Sequence, residues 1–254
     1  MLLVDLFTPF VFSFTIPAVI FAGISKSGFG SSVAFASASI LALVLDPGVA
    51  LGLMLPLLML IDVASLPAYW RKWDWPAAWV LLLGAVPGTL IGAWFFAAAD
   101  PDLIRLIIGL VAIAFVVWQL AQIWGWIAQP KRKMGLGAGL GAGVALGFTS
   151  FISHAGGPVA AVFLLGRGLS KTAFQATTVL VFWIVNLFKS GFYIGLDIFT
   201  RETLLMGFAL APFALLGTWL GIRAHHFVSE RAFFAVTYVA LSLTGGKLIW
   251  DALT

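Results

Sequence analysis

The sequence contains no cysteine and very little charge. Only 9% of its 254 residues are Asp, Glu, Lys or Arg, against roughly 25% in an ordinary soluble domain. Without cysteine there is no disulfide framework, no thiolate nucleophile and no cysteine–metal site. A water-soluble protein of this size needs more charge to cover its surface, so that class is excluded. The basic residues lie in separate short loops, whereas nucleic-acid binding needs a concentrated basic face. We therefore expect no nucleic-acid partner.

Apolar side chains dominate instead, and make up 62% of the residues. No Lys or Arg precedes Lys26, so the basic start of a cleaved signal peptide is missing. These features predict a polytopic protein embedded in the lipid bilayer. Its function is then to move something across the membrane, to do chemistry inside it, or to assemble with partners there.

Ten apolar stretches are separated by polar or Gly/Pro breaks. A spanning helix needs about 20 residues, and three stretches in each half reach that length, whereas the first two of each half are shorter and interrupted. The interruptions fall at residues 25–30 and 153–158. Lipid cannot satisfy a broken backbone, so these breaks must lie within protein or line a wet cavity. The stretches cover residues 9–24, 31–45, 49–69, 76–98, 102–124, 134–152, 158–166, 172–195, 203–222 and 231–250.

The two halves of the sequence resemble each other at an offset of about 124 to 128 residues. At this offset the breaks coincide, and so do several landmarks. The landmarks are Asp62 with Asn186, Tyr69 with Tyr193, and a Pro-x-x-x-x-Gly-x-Trp pattern at 87–94 with the same pattern at 212–219. We predict an internal repeat. Its parts are a first transmembrane repeat (1–124), a basic cytoplasmic linker (125–133) and a second transmembrane repeat (134–254).

The loop charges predict how the repeats are oriented. Lys and Arg are concentrated in the loops at 70–74, 125–133, 166–171 and 223–231, which places these loops inside. Successive loops then alternate between the two sides of the membrane if the interrupted first helix pair of each half enters and leaves the membrane on the same side. The second repeat is in that case inverted relative to the first. The predicted fold is an all-α polytopic membrane protein of two inverted-topology repeats. Each has a broken or re-entrant first helix pair followed by three spanning helices, giving 8–10 membrane segments. Secondary transporters have this plan, with sites formed at the midplane by broken helices.

Lys26 lies in the first break, between two apolar segments. A cation at membrane depth costs a few kcal/mol or more and calls for a reason. A small oxyanion would supply that reason, because hydroxyls, glycine backbone and the free N–H groups of a helix N-terminus suit it. The alternative is a lysine that snorkels to the interface from a short turn. The predicted anion-binding residues of this break are Lys26, Ser25, Ser27, Gly28, Gly30, Ser31 and Ser32.

The second break carries a histidine at the matching place. Its candidate substrate-binding residues are Ser153, His154, Gly156 and Gly157, since glycine lets backbone approach a ligand closely. A membrane histidine also titrates near neutrality and can relay a proton. Alternatively, His154 simply forms a hydrogen bond between helices.

Polar side chains follow one face of the long third segment in each half. The first half has Asp62, Ser65 and Tyr69, spaced so that they share a helix face. We predict that these stripes line the path or couple transport to protons, with Asp62 as a proton carrier or a partner of a lysine. The alternatives are hydrogen bonds between helices and, for Lys189, snorkelling. The second-half stripe consists of Gln175, Thr178, Asn186, Lys189 and Tyr193.

These motifs, in their order along the chain, resemble the TauE/SafE family of sulfite and organosulfur-anion exporters. The resemblance covers nearly the whole sequence. It rests on Phe21 to Gly23, Asp46-Pro47, the basic aromatic loop at 69–75, Pro87-Gly88 with Gly92, Gly156-Gly157-Pro158, and the turn at 167–171. It implies a transporter of small anions such as sulfite, sulfonates or carboxylates. In the first break the family usually has three successive glycines and then a proline. Here the break reads Gly28-Phe29-Gly30-Ser31-Ser32, which points to a substrate preference of a subgroup.

We therefore expect a secondary transporter in the cell inner membrane, moving a small inorganic or organosulfur anion. Sulfite or a short organosulfonate is the first candidate, with no cofactor, no metal and no enzymatic step. The alternatives are a small carboxylate as cargo, an anion channel, or an accessory subunit, and an oligomer is compatible with all of them. An intramembrane enzyme is disfavoured because Ser153 and His154 are adjacent, and neighbouring residues on a helix do not face each other.

Overall fold

The computed structural model describes residues 6–28, 34–127, 134–224 and 230–254, and within these ranges it consists of α-helices without strands. Helix bounds, in chain order, are α1 (Pro9–Gly28), α2 (Ala36–Leu41), α3 (Pro47–Tyr69), α4 (Trp75–Ala98), α5 (Pro101–Ile123), α6 (Leu136–Ser153), α7 (Gly156–Gly166), α8 (Lys171–Gly195), α9 (Arg201–Ala224) and α10 (Glu230–Leu253). Each apolar stretch of the sequence thus corresponds to one helix.

Seven of these helices are long and apolar enough to cross a membrane: α1, α3, α4, α5, α6, α8 and α9. The protein is therefore a multi-pass membrane protein. Helix α1 has 20 residues and is longer than its predicted stretch of residues 9–24, whereas α6 has 18 residues and is close to its predicted stretch of residues 134–152. Only the second helix of each half is short, with 6 residues in α2 and 11 in α7.

Polar caps fix where several of the long helices begin. At each of these starts a short polar side chain accepts a hydrogen bond from a backbone N–H of the first turn, which would otherwise lack a partner. The caps are Asp46 (from Gly48, 2.9 Å), Asp74 (from Ala77, 2.8 Å), Asp100 (from Leu103, 2.7 Å) and Ser170 (from Ala173, 3.2 Å). Pro47 and Pro101 follow two of these caps, at the position where the missing N–H of proline costs nothing.

The main helix contacts stay the same when each of the first five helices is replaced by its counterpart among the second five, and the reverse. Helix α1 packs on α9 and α6 packs on α4, while α3 contacts α9 and α8 contacts α4. The α5–α10 and α3–α8 contacts map onto themselves. The first two pairings depend on glycine: a Cβ at Gly28 would lie 2.4 Å from the carbonyl oxygen of Gly221, and one at Gly84 would lie 2.3 Å from that of Leu140. Such close backbone approach is typical of helix pairs in membranes.

Helices α3 and α8 run in opposite directions beside each other. Asp62 near the middle of α3 bonds to Asn186 of α8. At one end, His154 links Leu51 of α3 to Lys189 of α8. The C-terminal end of α3 and the N-terminal end of α8 therefore lie at the same end of the bundle.

The described parts of the basic loops meet at this same end. One cavity there is lined by Lys72 of the 70–74 loop, Lys171 at the start of α8, Gln122 near the end of α5 and Ile222 near the end of α9. The rest of the predicted linker, residues 128–133, and residues 225–229 lie outside the described residues. We refer to this end as the basic end.

The interruption predicted in the second half is present. Helix α6 ends at Ser153, and His154 takes a left-handed conformation with φ of 55° before α7 begins at Gly156. The N–H of Met134, just before α6, donates to the carbonyl of Gly166 at the end of α7 over 3.1 Å. The start of α6 and the end of α7 are therefore neighbours. In the first half, α1 ends at Gly28 within the predicted break, and residues 29–33 lie outside the described residues.

Candidate functional site

Polar side chains from four helices and one helix break meet in the middle of the bundle. Each is at least 94% shielded from solvent. We call this group the central cluster, and it consists of Lys26 (α1), Asp62 (α3), Ser150 (α6), His154 (the α6–α7 break), Asn186 and Lys189 (both α8). Buried ionisable groups in a membrane protein mark functional sites more often than not.

Lys26 and Asp62 form a buried ion pair. The ammonium group of Lys26 donates to Oδ1 of Asp62 and also lies 3.4 Å from the carbonyl oxygen of Leu58. Asn186 donates from Nδ2 to the other carboxylate oxygen of Asp62 over 3.3 Å. The ring of Phe182 lies 5.6 Å from the Lys26 ammonium, within the range of a cation–π contact. Both carboxylate oxygens of Asp62 are thus occupied.

Lys189 has neutral partners only. Its ammonium group donates to the carbonyl oxygen of Ser150 at 2.8 Å and to Oγ of the same residue at 3.3 Å, and contacts Nδ1 of His154 at 2.9 Å. It also lies 5.5 Å from the ring of Tyr193. Lys189 forms no ion pair with any residue that the structure describes.

The contacts of His154 assign its tautomer. Nε2 lies 3.2 Å from the carbonyl oxygen of Leu51, and a carbonyl can only accept, so Nε2 carries the hydrogen. Nδ1 then has a lone pair that accepts from Lys189. This assignment from the hydrogen bonds makes His154 neutral when Lys189 is an ammonium ion. With both lysines protonated, the described residues of the cluster hold two cations, Lys26 and Lys189, against one carboxylate, Asp62.

A small cavity lies beside Lys26, His154 and Asn186. Its volume is about 10 Å³, room for about one water molecule. Residues from both halves of the chain line it, and they are Lys26, Ala34, Phe35, Leu58, Ser150, His154, Phe182 and Asn186.

A much larger cavity opens toward the basic end. This vestibule has a volume of about 670 Å³ and reaches Gly28, Tyr69 and Gln175. Two hydrogen bonds lie between it and the cluster. Tyr69 donates from its hydroxyl to the carbonyl of Ser27 over 3.0 Å, and Gln175 donates to the carbonyl of Lys26 over 2.7 Å. One layer of side chains therefore separates the vestibule from Lys26.

The other end is closed by packed apolar and aromatic side chains. We call this group the Tyr193 cluster, and it consists of Leu51, Leu55, Ala93, Phe151, Tyr193 and Ile198. The hydroxyl of Tyr193 donates to the carbonyl of Phe151 over 2.7 Å, and the two rings pack edge to face with centroids 5.1 Å apart. Neither side chain has exposed surface.

The structure does not bring all of the predicted anion-binding residues into the central cluster. Ser27 donates to the carbonyl oxygens of Gly23 and Thr218, and Ser153 donates to that of Thr149. Ser25 is buried, and its hydroxyl has no partner among the described residues. Gly156 and Gly157 are buried in the first turn of α7, Gly28 lines the vestibule, and Gly30, Ser31 and Ser32 lie outside the described residues.

Three contributors to the cluster were missed in the sequence. They are Ser150, the carbonyl group of Leu51, and the ring of Phe182. Asp62 and Asn186, which bond to each other, are 124 positions apart. At the same offset Ser150 aligns with Lys26, and this alignment could have identified Ser150 from the sequence. A backbone carbonyl leaves no such signal.

Comparison with protein-family models identifies the chain. The model described as sulfite exporter TauE/SafE matches residues 15–248, which include every helix of both halves at least in part. No curated protein and no solved structure matches the chain. The protein therefore belongs to the sulfite exporter TauE/SafE family of membrane transporters.

Proposed function

We propose that the protein is a secondary transporter of the inner membrane that moves a small anion, sulfite or a short organosulfonate, through the central cluster. The observation that carries this proposal is Lys189. It is a buried ammonium group without an acidic partner among the described residues, in a cluster with one more cation than carboxylates. A charge removed from water costs several kcal/mol unless an opposite charge compensates it. The transported anion supplies that opposite charge.

Asp62 indicates where the anion binds. Its carboxylate fills the position beside Lys26, and the cavity of about 10 Å³ lined by Lys26 and His154 is too small for any oxyanion with three or four heavy atoms. The carboxylate is therefore a tethered substitute for the cargo. When the anion enters, Asp62 leaves Lys26, and Lys26, Lys189 and the Ser150 hydroxyl take the oxyanion. Protonation of Asp62 would release Lys26, which makes this carboxyl group the candidate carrier of a coupling proton.

The architecture supports alternating access around this site. We propose two inverted repeats, residues 1–124 and 134–254, joined by a basic linker at 125–133. The antiparallel α3 and α8 and the exchangeable helix contacts support the inversion. The neighbouring start of α6 and end of α7 support a first pair that enters and leaves on one side. The basic end would face the cytoplasm.

Anion binding to the purified protein tests the proposal. Thermal unfolding is measured with sulfite, sulfate, two-carbon sulfonates, oxalate, acetate and chloride, for the wild type and for Lys189→Met. An anion that binds only the folded protein stabilises it by about 2.7 kcal/mol at one hundred times its Kd. The matched control is Lys72→Met, which changes an exposed lysine in the vestibule wall.

We expect sulfite or a sulfonate to raise the melting temperature of the wild type and of Lys72→Met but not of Lys189→Met. Lys189→Arg keeps the charge and should keep part of the shift, which separates loss of charge from loss of folding. Counterflow of the same labelled anion into proteoliposomes then tests transport. Equal shifts in the wild type and in Lys189→Met would refute the assignment of the site.

A further inference from the structure

One hydrogen bond between helices, outside the central cluster, occurs at equivalent positions in both halves. Tyr69 donates to the carbonyl of Ser27, and Tyr193 donates to the carbonyl of Phe151. In both bonds the partners are 42 residues apart, and donor and acceptor both shift by the same 124 residues that relate Asp62 to Asn186. The two bonds are therefore equivalent contacts of the repeat.

Each bond fixes the end of an interrupted helix. Ser27 lies in the last turn of α1 and Phe151 in the last turn of α6. Carbonyl groups in the last turn of a helix lack a partner within that helix, and inside a membrane protein they need one. The tyrosine hydroxyl supplies the donor. Lys26 is the neighbour of Ser27, so any movement of this turn reaches the central cluster directly.

The two tyrosines lie on opposite sides of the central cluster. Tyr69 follows Asp62 by two helical turns on α3, and Tyr193 follows Asn186 by two turns on α8. Since α3 and α8 are antiparallel, Tyr69 lies about 10 Å from Asp62 and Tyr193 about 10 Å from Asn186, in opposite directions along the helix pair. Tyr69 is on the side of the vestibule, and Tyr193 is on the closed side.

The surroundings of the two tyrosines differ. Tyr69 is half-buried and lines the vestibule of about 670 Å³. Tyr193 has no exposed surface and packs against the rings of Phe151 and Phe199, with centroid distances of 5.1 and 5.6 Å. One end is therefore closed by a single layer and the other by a thick packed layer. Under the proposed alternating access between inverted repeats, the opposite state exchanges these surroundings between the two tyrosines.

We infer that Tyr69 and Tyr193 are the gating residues of the transport path, and that their hydrogen bonds hold the last turns of α1 and α6 at the two entrances. In the state described here the Tyr193 gate is closed in full and the Tyr69 gate is closed by one layer. In the opposite state Tyr193 lines an open cavity and Tyr69 is packed. This inference rests on the proposed transport function, but its test needs no knowledge of the cargo.

Cysteine labelling tests the inference cleanly because the chain has no cysteine of its own. Two matched reporters are Ala161→Cys in the vestibule wall and Ala93→Cys in the Tyr193 cluster, both replacing nearly buried alanines. Each is combined with Tyr69→Phe or Tyr193→Phe, changes that remove one oxygen and leave the ring. The control is Tyr238→Phe, which changes the only other tyrosine of the chain. The rate of reaction with a water-soluble maleimide is measured on the purified protein, after its melting temperature shows that it is folded.

We expect Tyr193→Phe to raise the labelling rate of Ala93→Cys about fivefold, the factor corresponding to one net hydrogen bond, and to lower that of Ala161→Cys. Tyr69→Phe should leave Ala93→Cys unchanged or slower, and Tyr238→Phe should change neither reporter. Unchanged rates in Tyr193→Phe, or faster labelling of both reporters in both gate variants, would overturn the inference. The labelling rate reports accessibility and not anion binding. If no anion raised the melting temperature but Tyr193→Phe still changed the two labelling rates in opposite directions, the proposed cargo would be rejected and the gating role of the tyrosines would stand.

Discussion

Replacing Asp62 by asparagine removes the only carboxylate that the structure places in the central cluster. The change keeps the size and shape of the side chain. Lys26 then has neutral neighbours only: the amide oxygen of the new side chain, the carbonyl oxygen of Leu58 at 3.4 Å and the ring of Phe182 at 5.6 Å. Lys189 already lacks an acidic partner among the described residues, so two uncompensated ammonium groups share one buried site.

The magnitude follows from burial. Removing one partner of a buried ion pair costs about 3–5 kcal/mol, because the other charge stays in a medium of low polarity. For a chain of this size 1 kcal/mol corresponds to about 2–4 °C in melting temperature, so Asp62→Asn should melt roughly 10 °C lower. The matched control is Asp102→Asn, which breaks the exposed 2.5 Å ion pair with Arg105. An exposed pair contributes about 1 kcal/mol or less, so this control should shift by a few degrees at most.

The assay is thermal unfolding with and without the anion that stabilises the wild type. If the carboxylate of Asp62 occupies the place of the cargo, its removal eliminates a competitor for Lys26. The anion should then raise the melting temperature of Asp62→Asn by more than it raises that of the wild type. A smaller rise, or no loss of stability without anion, would refute the idea that Asp62 stands in for the cargo.

Two further substitutions have expected outcomes. Gly88→Ala should abolish stable folding, since its Cβ would lie 2.1 Å from the carbonyl oxygen of Val144, whereas Gly141→Ala, where nothing lies within 4 Å, should express and melt like the wild type; equal yields on size-exclusion chromatography would contradict the close α4–α6 packing. His154→Ala removes the neutral acceptor that holds the Lys189 ammonium group in the central cluster at 2.9 Å; because the anion needs that group in place, its binding should weaken about tenfold, the worth of one hydrogen bond to a charged group, and an unchanged Kd by calorimetry would place the anion elsewhere.

The helices were predictable from the sequence because lipid imposes a simple rule. Any stretch between breaks that is long and apolar enough must be helical, and each of the ten stretches became a helix. The length of α1 was less predictable. The apolar run before the first break ends near residue 24, yet in the structure α1 continues through Ser25, Lys26 and Ser27 to Gly28. Hydropathy cannot show that a buried lysine with a carboxylate partner extends a helix inside the protein.

Which polar groups meet was only partly predictable. Helical spacing put Asp62 and Tyr69 on one face, and both do face neighbouring helices, but spacing does not give the height at which two helices meet. Asp62 as the partner of Lys26 was one option among several. The serines show a second limit: Ser27 bonds to the carbonyl four residues earlier, as serine within a helix commonly does. A hydroxyl close to a lysine in sequence is therefore weak evidence for a shared ligand.

In the proposed repeat the two halves are alike at the proposed gates and differ in the central cluster, and the proposed mechanism needs this difference. Each half has a tyrosine that donates to a backbone carbonyl 42 residues earlier, and the proposed mechanism requires such likeness because its two entrances open in turn by the same movement. At the offset of 124 residues, Lys26 aligns with Ser150 and Asp62 with Asn186, whereas Lys189 aligns with Ser65, which lies outside the central cluster. Each half thus contributes one lysine, at different positions, but only the first contributes a carboxylate. A second carboxylate would balance the two lysines internally, and the site would then have no charge left for a cargo to neutralise.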